Sequence, residues 1–151
     1  MSPNLLLTIY TMLSSYCLAG CLMEHFAVFP GWLLVSAADL PVVQVRQGHG
    51  SLAIYVIPKI VLTFFIIYLW AFTTEAVTAP VSTASLRFSL AMLVISWISS
   101  FAVQIPLQLR IREGRDKSLV RRLIRTDWVR VLTMAAHCMA VVWAVAAGQE
   151  R

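Results

Sequence analysis

The stretch LAGCLMEHFAVFPGW, residues 18–32, admits two incompatible readings. Leu18-Ala19-Gly20-Cys21 has the form of a lipoprotein cleavage box, which would make residues 1–20 a disposable signal. Alternatively, an apolar helix runs on through Cys21 and carries Glu24 and His25 to a membrane boundary. A secretory signal opens with a positively charged region, and MSPNLLLTIY contains neither Lys nor Arg. Cleavage would also leave CLMEHFAVFPGW as the remnant, too short for a hydrocarbon core of roughly 30 Å. The box is therefore read as small residues at a helix contact, with Gly20 allowing close approach. Glu24 and His25 then belong to an intact first helix.

The rest of the chain fits a membrane setting. Of its 151 residues 60% are hydrophobic and 13% charged, against about 25% charged in ordinary soluble domains. The mean hydropathy is +0.80. Four apolar segments can each supply the ~20 residues of a spanning helix. The expected fold is all-α: a single domain over residues 1–151, an antiparallel four-helix transmembrane bundle with helices near 4–29, 52–73, 83–111 and 118–147. Pro30-Gly31 is expected to end the first helix. Residues 35–51 form a long first loop, re-entrant or interfacial. Gly114 suits a helix stop, and Asp116 or Ser118 suits the next N-cap.

The net charge of +5 does not point to nucleic acid, because the basic residues crowd beside the apolar spans. The lipid bilayer is the expected partner, with RIREGRDKSLVRRLIR as an anchor for anionic lipid. One side receives Arg46, Arg110, Arg112, Arg115, Lys117, Arg121, Arg122 and Arg125, the other only Arg87 and Arg151. By the positive-inside bias, the first side is cytoplasmic and both termini lie outside a bacterial inner membrane. Cys17, Cys21 and Cys138 fall inside apolar helices, with neither a disulfide framework nor a CxxC pair.

Several polar groups fall at one depth. At 1.5 Å per residue, Glu24 lies roughly 9 Å inside the first helix, Lys59 roughly 10 Å inside the second and Gln104 roughly 9 Å inside the third. Gln108 stands one turn from Gln104, and Asp127 and Arg130 mark the start of the fourth helix. Intramembrane charges normally face the interior of a protein and pair there. Glu24 with Lys59 is the natural ion pair, and Asp127 can pair with Arg130 or Arg110. The layer reads either as a register device, with Lys59 snorkelling, or as a functional cavity. His49, just before the second helix, is placed to fold over it. A metal ion held by Glu24, His25 and His49 is chemically feasible, although Glu24 and His25 point about 100° apart on a helix. His137 lies deeper, where Ser14, Thr63, Ser96 or Ser100 can satisfy it. No phosphate loop, HExxH or nucleophile elbow is present.

The run QIPLQLRIREGRDKSLVRRLIRTDWVRVLTMAAH, residues 104–137, resembles the last third of a group of small, uncharacterised bacterial four-helix membrane proteins. HFAVFPGW (25–32) and QGHGSLAIYVIPK (47–59) are compatible with their first half. Members often carry His or Asn where Gln108 stands, and Asn where Asp127 stands. More distantly, the chain is similar to the anthrone-oxygenase-like membrane family, which implies oxidation of a hydrophobic aromatic substrate. Two function classes follow. In the first, an oxidoreductase acts on a lipophilic small molecule, with Glu24 as acid/base or ligand and His25 and His49 as ligand or proton shuttle. Lys59, Gln104, Gln108, Arg110, Asp127 and Trp128 would then orient the substrate. In the second, the chain is a non-enzymatic module that binds a lipid or small molecule, or a subunit of an oligomer or larger membrane complex.

Overall fold

The structure, a computed structural model, describes residues 3–72, 83–114 and 116–149. Every regular element in them is helical. The first rod is α1 (Pro3–Met23), a π-helical turn (Glu24–Val28) and α2 (Phe29–Leu34). The second is α3 (Leu40–Ser51), a π turn (Leu52–Val56) and α4 (Ile57–Phe72). The third is α5 (Thr83–Ser99), a π turn (Ser100–Gln104) and α6 (Ile105–Gly114), and α7 (Lys117–Gln149) is the fourth.

The three π turns share one cause. Each begins six positions ahead of a proline: Glu24 before Pro30, Leu52 before Pro58, Ser100 before Pro106. Proline has no N–H, and its ring strikes the carbonyl four residues back. In the first and third rods the residue before the proline reaches one position further: Phe29 N–H donates to the Glu24 carbonyl and Ile105 N–H to that of Ser100. This widened turn lets an apolar rod continue past proline, as lipid demands of every backbone group. Pro30-Gly31 therefore does not end the first rod, which runs to Leu34.

The long first loop contracts for a related reason. Only residues 35–39 are non-helical. The Ser36 hydroxyl donates to Asp39 Oδ2 at 2.6 Å, and Asp39 N–H donates to Ser36 Oγ at 3.2 Å. This turn starts α3 at Leu40, with Pro41 in the first turn, where its missing N–H costs nothing. The second rod thus begins at Leu40 rather than at 52. At the other reversal, α6 ends at Gly114 and Asp116 caps α7, accepting Ser118 N–H at 2.7 Å.

Contacts fix the directions. Along α7, His137 meets Ser14 and Ser89, whereas Arg130 meets Glu24 and Thr126 meets Gln104. The first and third rods therefore both run opposite to α7. The second also opposes the first, since Tyr10 stacks on Phe65 while Tyr55 lies on Gly20. α7 packs along α5 and α1, and α4 packs against the same two helices. A core of Leu62, Ile66, Leu93, Met134 and neighbours fills one end, and a second core of Phe29, Trp32, Leu107, Ile111 and Leu123 fills the end near α6.

Three segments are long and apolar enough to cross a membrane: Leu5–Leu34, Ala53–Ala71 and Ala84–Glu113. The large side chains Met12, Phe64 and Phe101 are exposed on them, as lipid-facing residues are. The chain has the build of a multi-pass membrane protein. α7 is 33 residues long but crowds its charge into its first half, and it is not among the three.

Candidate functional site

Between the two cores lies a layer of buried charge. Glu24 and His25 both sit on the first π turn and both reach α7. Glu24 Oε2 is 2.5 Å from Arg130 Nη1, Arg130 Nε is 2.8 Å from Asp127 Oδ1, and His25 Nδ1 is 3.0 Å from Asp127 Oδ2. Asp127 and Arg130 are one turn apart on α7, the spacing that puts side chains on one face. The Arg130 contacts are ion pairs at short range but lie outside hydrogen-bond angles, and its Nη2 has no partner among the described residues. Charge attraction in a dry setting therefore holds the layer more than directed hydrogen bonding does. The guanidinium also lies 5.8 Å from the Phe29 ring centroid. His25 is flanked edgewise by Trp128 and Phe26, at 4.5 and 4.8 Å between ring centroids.

Lys59 does not pair with Glu24, and it does not snorkel. It is only 6% exposed and donates to Ser96 Oγ at 2.8 Å and more weakly to Ser100 Oγ at 3.4 Å. Its ammonium lies 4.5 Å from the Trp97 ring centroid. Trp97 in turn donates its indole N–H to Thr63 Oγ1 at 2.9 Å. Glu24 was free to choose because two cations approach this level, and the π turn aims it at α7.

A cleft of about 280 Å³ opens beside the charge layer. Glu24, Val28, Phe29 and Trp32 line it from the first rod, Gln44 and Val45 from α3, and Ile105, Gln108, Leu109 and Arg112 from α6. Gln44 is 8% exposed, yet neither its amide nitrogen nor its amide oxygen has a partner among the described residues. Burying an amide without hydrogen bonds costs about 1–3 kcal/mol by mutational measures. The Trp32 indole N–H donates to the Gln47 side-chain oxygen, which fixes the ring at the cleft wall. Lys117 donates to the Leu33 carbonyl at 2.9 Å and ties α7 to the open end of the first rod.

The expected site residues divide accordingly. Glu24, His25, Asp127 and Trp128 come together, with Arg130 as their centre. Glu24 and Gln108 also line the cleft. Gln104 is buried away from it, donating to Thr126 Oγ1 at 3.5 Å while its Oε1 lacks a partner among the described residues. Arg110 faces a separate, smaller groove with Arg122 and Pro106. The backbone of His49 belongs to α3, and its side chain lies outside the described residues. Among the described residues no group of three or more His, Cys, Asp or Glu side chains is placed to hold a metal ion. Glu24 turns to Arg130 and His25 to Asp127, so neither is aimed at a shared ion.

Sequence reasoning missed Gln44, Trp32 and Arg112 as cleft residues. The signal for Gln44 was present: one amide inside the apolar run PVVQV, three residues after a DLP helix start. His137 is a satisfied core residue. Its Nδ1 is 2.9 Å from the Ser89 carbonyl, which can only accept, so Nδ1 carries the proton and Nε2 accepts from the Ser14 hydroxyl at 3.1 Å. Ser14 was among its expected partners; the Ser89 carbonyl was not.

No protein-family model matches the chain, and no curated protein or solved structure is significantly similar to it.

Proposed function

We propose that the chain is an antiparallel four-helix transmembrane bundle that binds a lipophilic small molecule in the cleft walled by α2, α3 and α6. The observation that carries this reading is Gln44. A buried amide with both ends unpartnered is costly to keep, and it becomes reasonable where a ligand supplies the missing hydrogen bonds. The walls suit such a ligand: aromatic and aliphatic side chains with a few convergent polar groups are the usual make-up of a small-molecule site.

A membrane-crossing α7 is supported by its outward face, where Leu132, Met139, Val142 and Trp143 are exposed while Met134, His137 and Val141 are buried. The Arg and Lys residues gathered around the α6–α7 turn support a cytoplasmic position for that end, with both termini outside a bacterial inner membrane. The cleft then lies near the cytoplasmic face, open to molecules partitioned into the bilayer.

An oxidoreductase working in the same cleft is the second reading. Its support is the His25–Asp127 pair, in which a carboxylate orients an imidazole as in many proton-transfer sites. Glu24 lines the cleft and His25 does not, so the first proton acceptor toward a substrate would be Glu24. The resemblance to the anthrone-oxygenase-like family points the same way.

The test is native mass spectrometry of gently extracted wild type beside Gln44→Leu. A small molecule retained by the wild type and lost from the folded variant is expected. Identical spectra, with bulk lipid alone on both proteins, would remove the binding reading. Conversion of the retained molecule by wild type but not by Glu24→Gln would move the conclusion to the enzyme.

A further inference from the structure

The cleft has a direction. Glu24, Val28 and Trp32 are spaced four apart on the first rod, and Ile105, Gln108 and Arg112 follow the matching face of the third. These two rods run the same way, so both stripes lead from the charge layer outward over about 10–12 Å, seven to eight residues of helix rise. The inner end carries Glu24, whose charge is matched by Arg130 at 2.5 Å. The outer end carries Arg112, exposed and without a carboxylate partner among the described residues. Phe29, Trp32, Val28 and Leu109 supply apolar wall between the ends, and Gln44 stands in that wall with its amide, unpartnered among the described residues, turned in behind it.

Arg112 is thus the one fixed charge in the lining not neutralised by a described neighbour, and it is positive. A cationic head would meet that guanidinium. A volume of about 280 Å³ holds roughly ten heavy atoms at the ~30 Å³ that a water-sized group occupies. That is too little to enclose a two-chain phospholipid.

We propose that the cleft selects a single-headed anionic amphiphile. Its carboxylate or phosphate head would sit at Arg112, its compact apolar body along Phe29 and Trp32, and one hydroxyl or carbonyl group would draw the buried Gln44 amide outward to bond it. This inference rests on the binding reading above and adds the chemical class. A guanidinium suits either head, because its planar fork matches both oxyanions. Arg112→Lys would therefore keep the charge and lose part of the geometry.

The test uses the full chain in phosphatidylcholine nanodiscs. Hexanoic acid, butyl phosphate and hexanol, each carrying the same photoreactive diazirine and so close to the size the cleft holds, are irradiated with wild type and Arg112→Gln, and the adducts are mapped by peptide mass spectrometry. Peptides containing Val28 and Leu109 report the cleft. Those containing the lipid-facing Phe64 report the bilayer surface. Enrichment of an anionic probe in the cleft is expected, falling about fivefold in Arg112→Gln, the size of one partly exposed charge contact. The ratio of acid to phosphate adducts then distinguishes the two heads. Equal cleft labelling by hexanol and both anions, unchanged in Arg112→Gln, would overturn the charge selection and leave the binding reading standing. Cleft labelling no higher than at Phe64 for every probe would overturn both.

Discussion

His137 and Gln44 are both polar side chains buried within apolar surroundings, and they have opposite fates. His137 is 0% exposed, and both ring nitrogens are matched, to the Ser14 hydroxyl and the Ser89 carbonyl. Tyr10 closes the pocket edgewise at 5.8 Å. Gln44 is 8% exposed and matched at neither amide atom among the described residues. The same contrast holds for the regions around them. Among the described residues, the end built from α1, α4, α5 and the later part of α7 pairs its buried polar groups internally except for the Tyr10 hydroxyl, which is closed in by apolar core and borders no cleft. The end built from α2, α3, α6 and the start of α7 leaves Gln44, Gln104 Oε1 and Arg130 Nη2 without partners among the described residues. Polarity that is fully paired specifies packing; polarity left unpaired beside a cleft is available to a ligand. The π turns lie at the junction, so the segments walling the cleft are joined to their rods where the helix is wider and more easily bent.

The charge layer is where this contrast breaks most easily. Arg130→Met leaves Glu24 and Asp127 buried without their cation, and a loss of about 3–5 kcal/mol is expected. Thermal unfolding in mild detergent measures it; a variant as stable as wild type would mean the layer is hydrated and holds little. His137→Leu removes a donor and an acceptor from the paired end and is expected to cost about 1–3 kcal/mol. Its ligand retention should match wild type, and a loss of ligand there would erase the distinction between the two ends. Gly20→Ala probes the contact beside the junction. A methyl group there would stand 2.6 Å from the Tyr55 ring, so the ring must move, at about 1 kcal/mol, the low end of overpacking costs. An unchanged melting temperature would show that Tyr55 swings away freely.

The smallest effect is expected at the α6–α7 turn. The Ser118 hydroxyl and N–H hold the exposed Asp116 carboxyl below its ordinary value of 3.8. A depressed folded value means that the cap's contribution is complete above pH 3.8 and fades as pH falls through the folded value. Asp116→Asn should therefore melt slightly below wild type at neutral pH, with the gap closing in strong acid. A gap independent of pH would show that the Asp116 charge plays no part.

Much of this was legible in the residues. Four apolar runs mark the rods, Gly114 and Asp116 mark the third reversal, and Glu24, Lys59, Gln104 and Asp127 mark a polar level. α3 was hidden by Gly48 and Gly50, which weaken a helix by propensity, although Asp39-Leu40-Pro41 carries a start signal. Pro30-Gly31 resembled a stop because a π turn upstream of a proline leaves no periodic trace in an apolar run. The same turn explains the wrong partner for Glu24. One extra residue in a helical turn rotates everything after it, and depth alone cannot say which of two cations a carboxylate will face. Lys59 found hydroxyls and an indole face instead of an acid, a choice set by the rotation of α4 against α5.

The most direct measurement is the unfolding free energy of Gln44→Leu, free of ligand, beside wild type. If Gln44 is kept for a ligand, leucine removes an unpaired amide and fills similar volume, so the variant should be as stable as wild type or more stable, by about 1–3 kcal/mol at most. Destabilisation of the same size would contradict this, because Gln44 would then be a structural group with partners of its own.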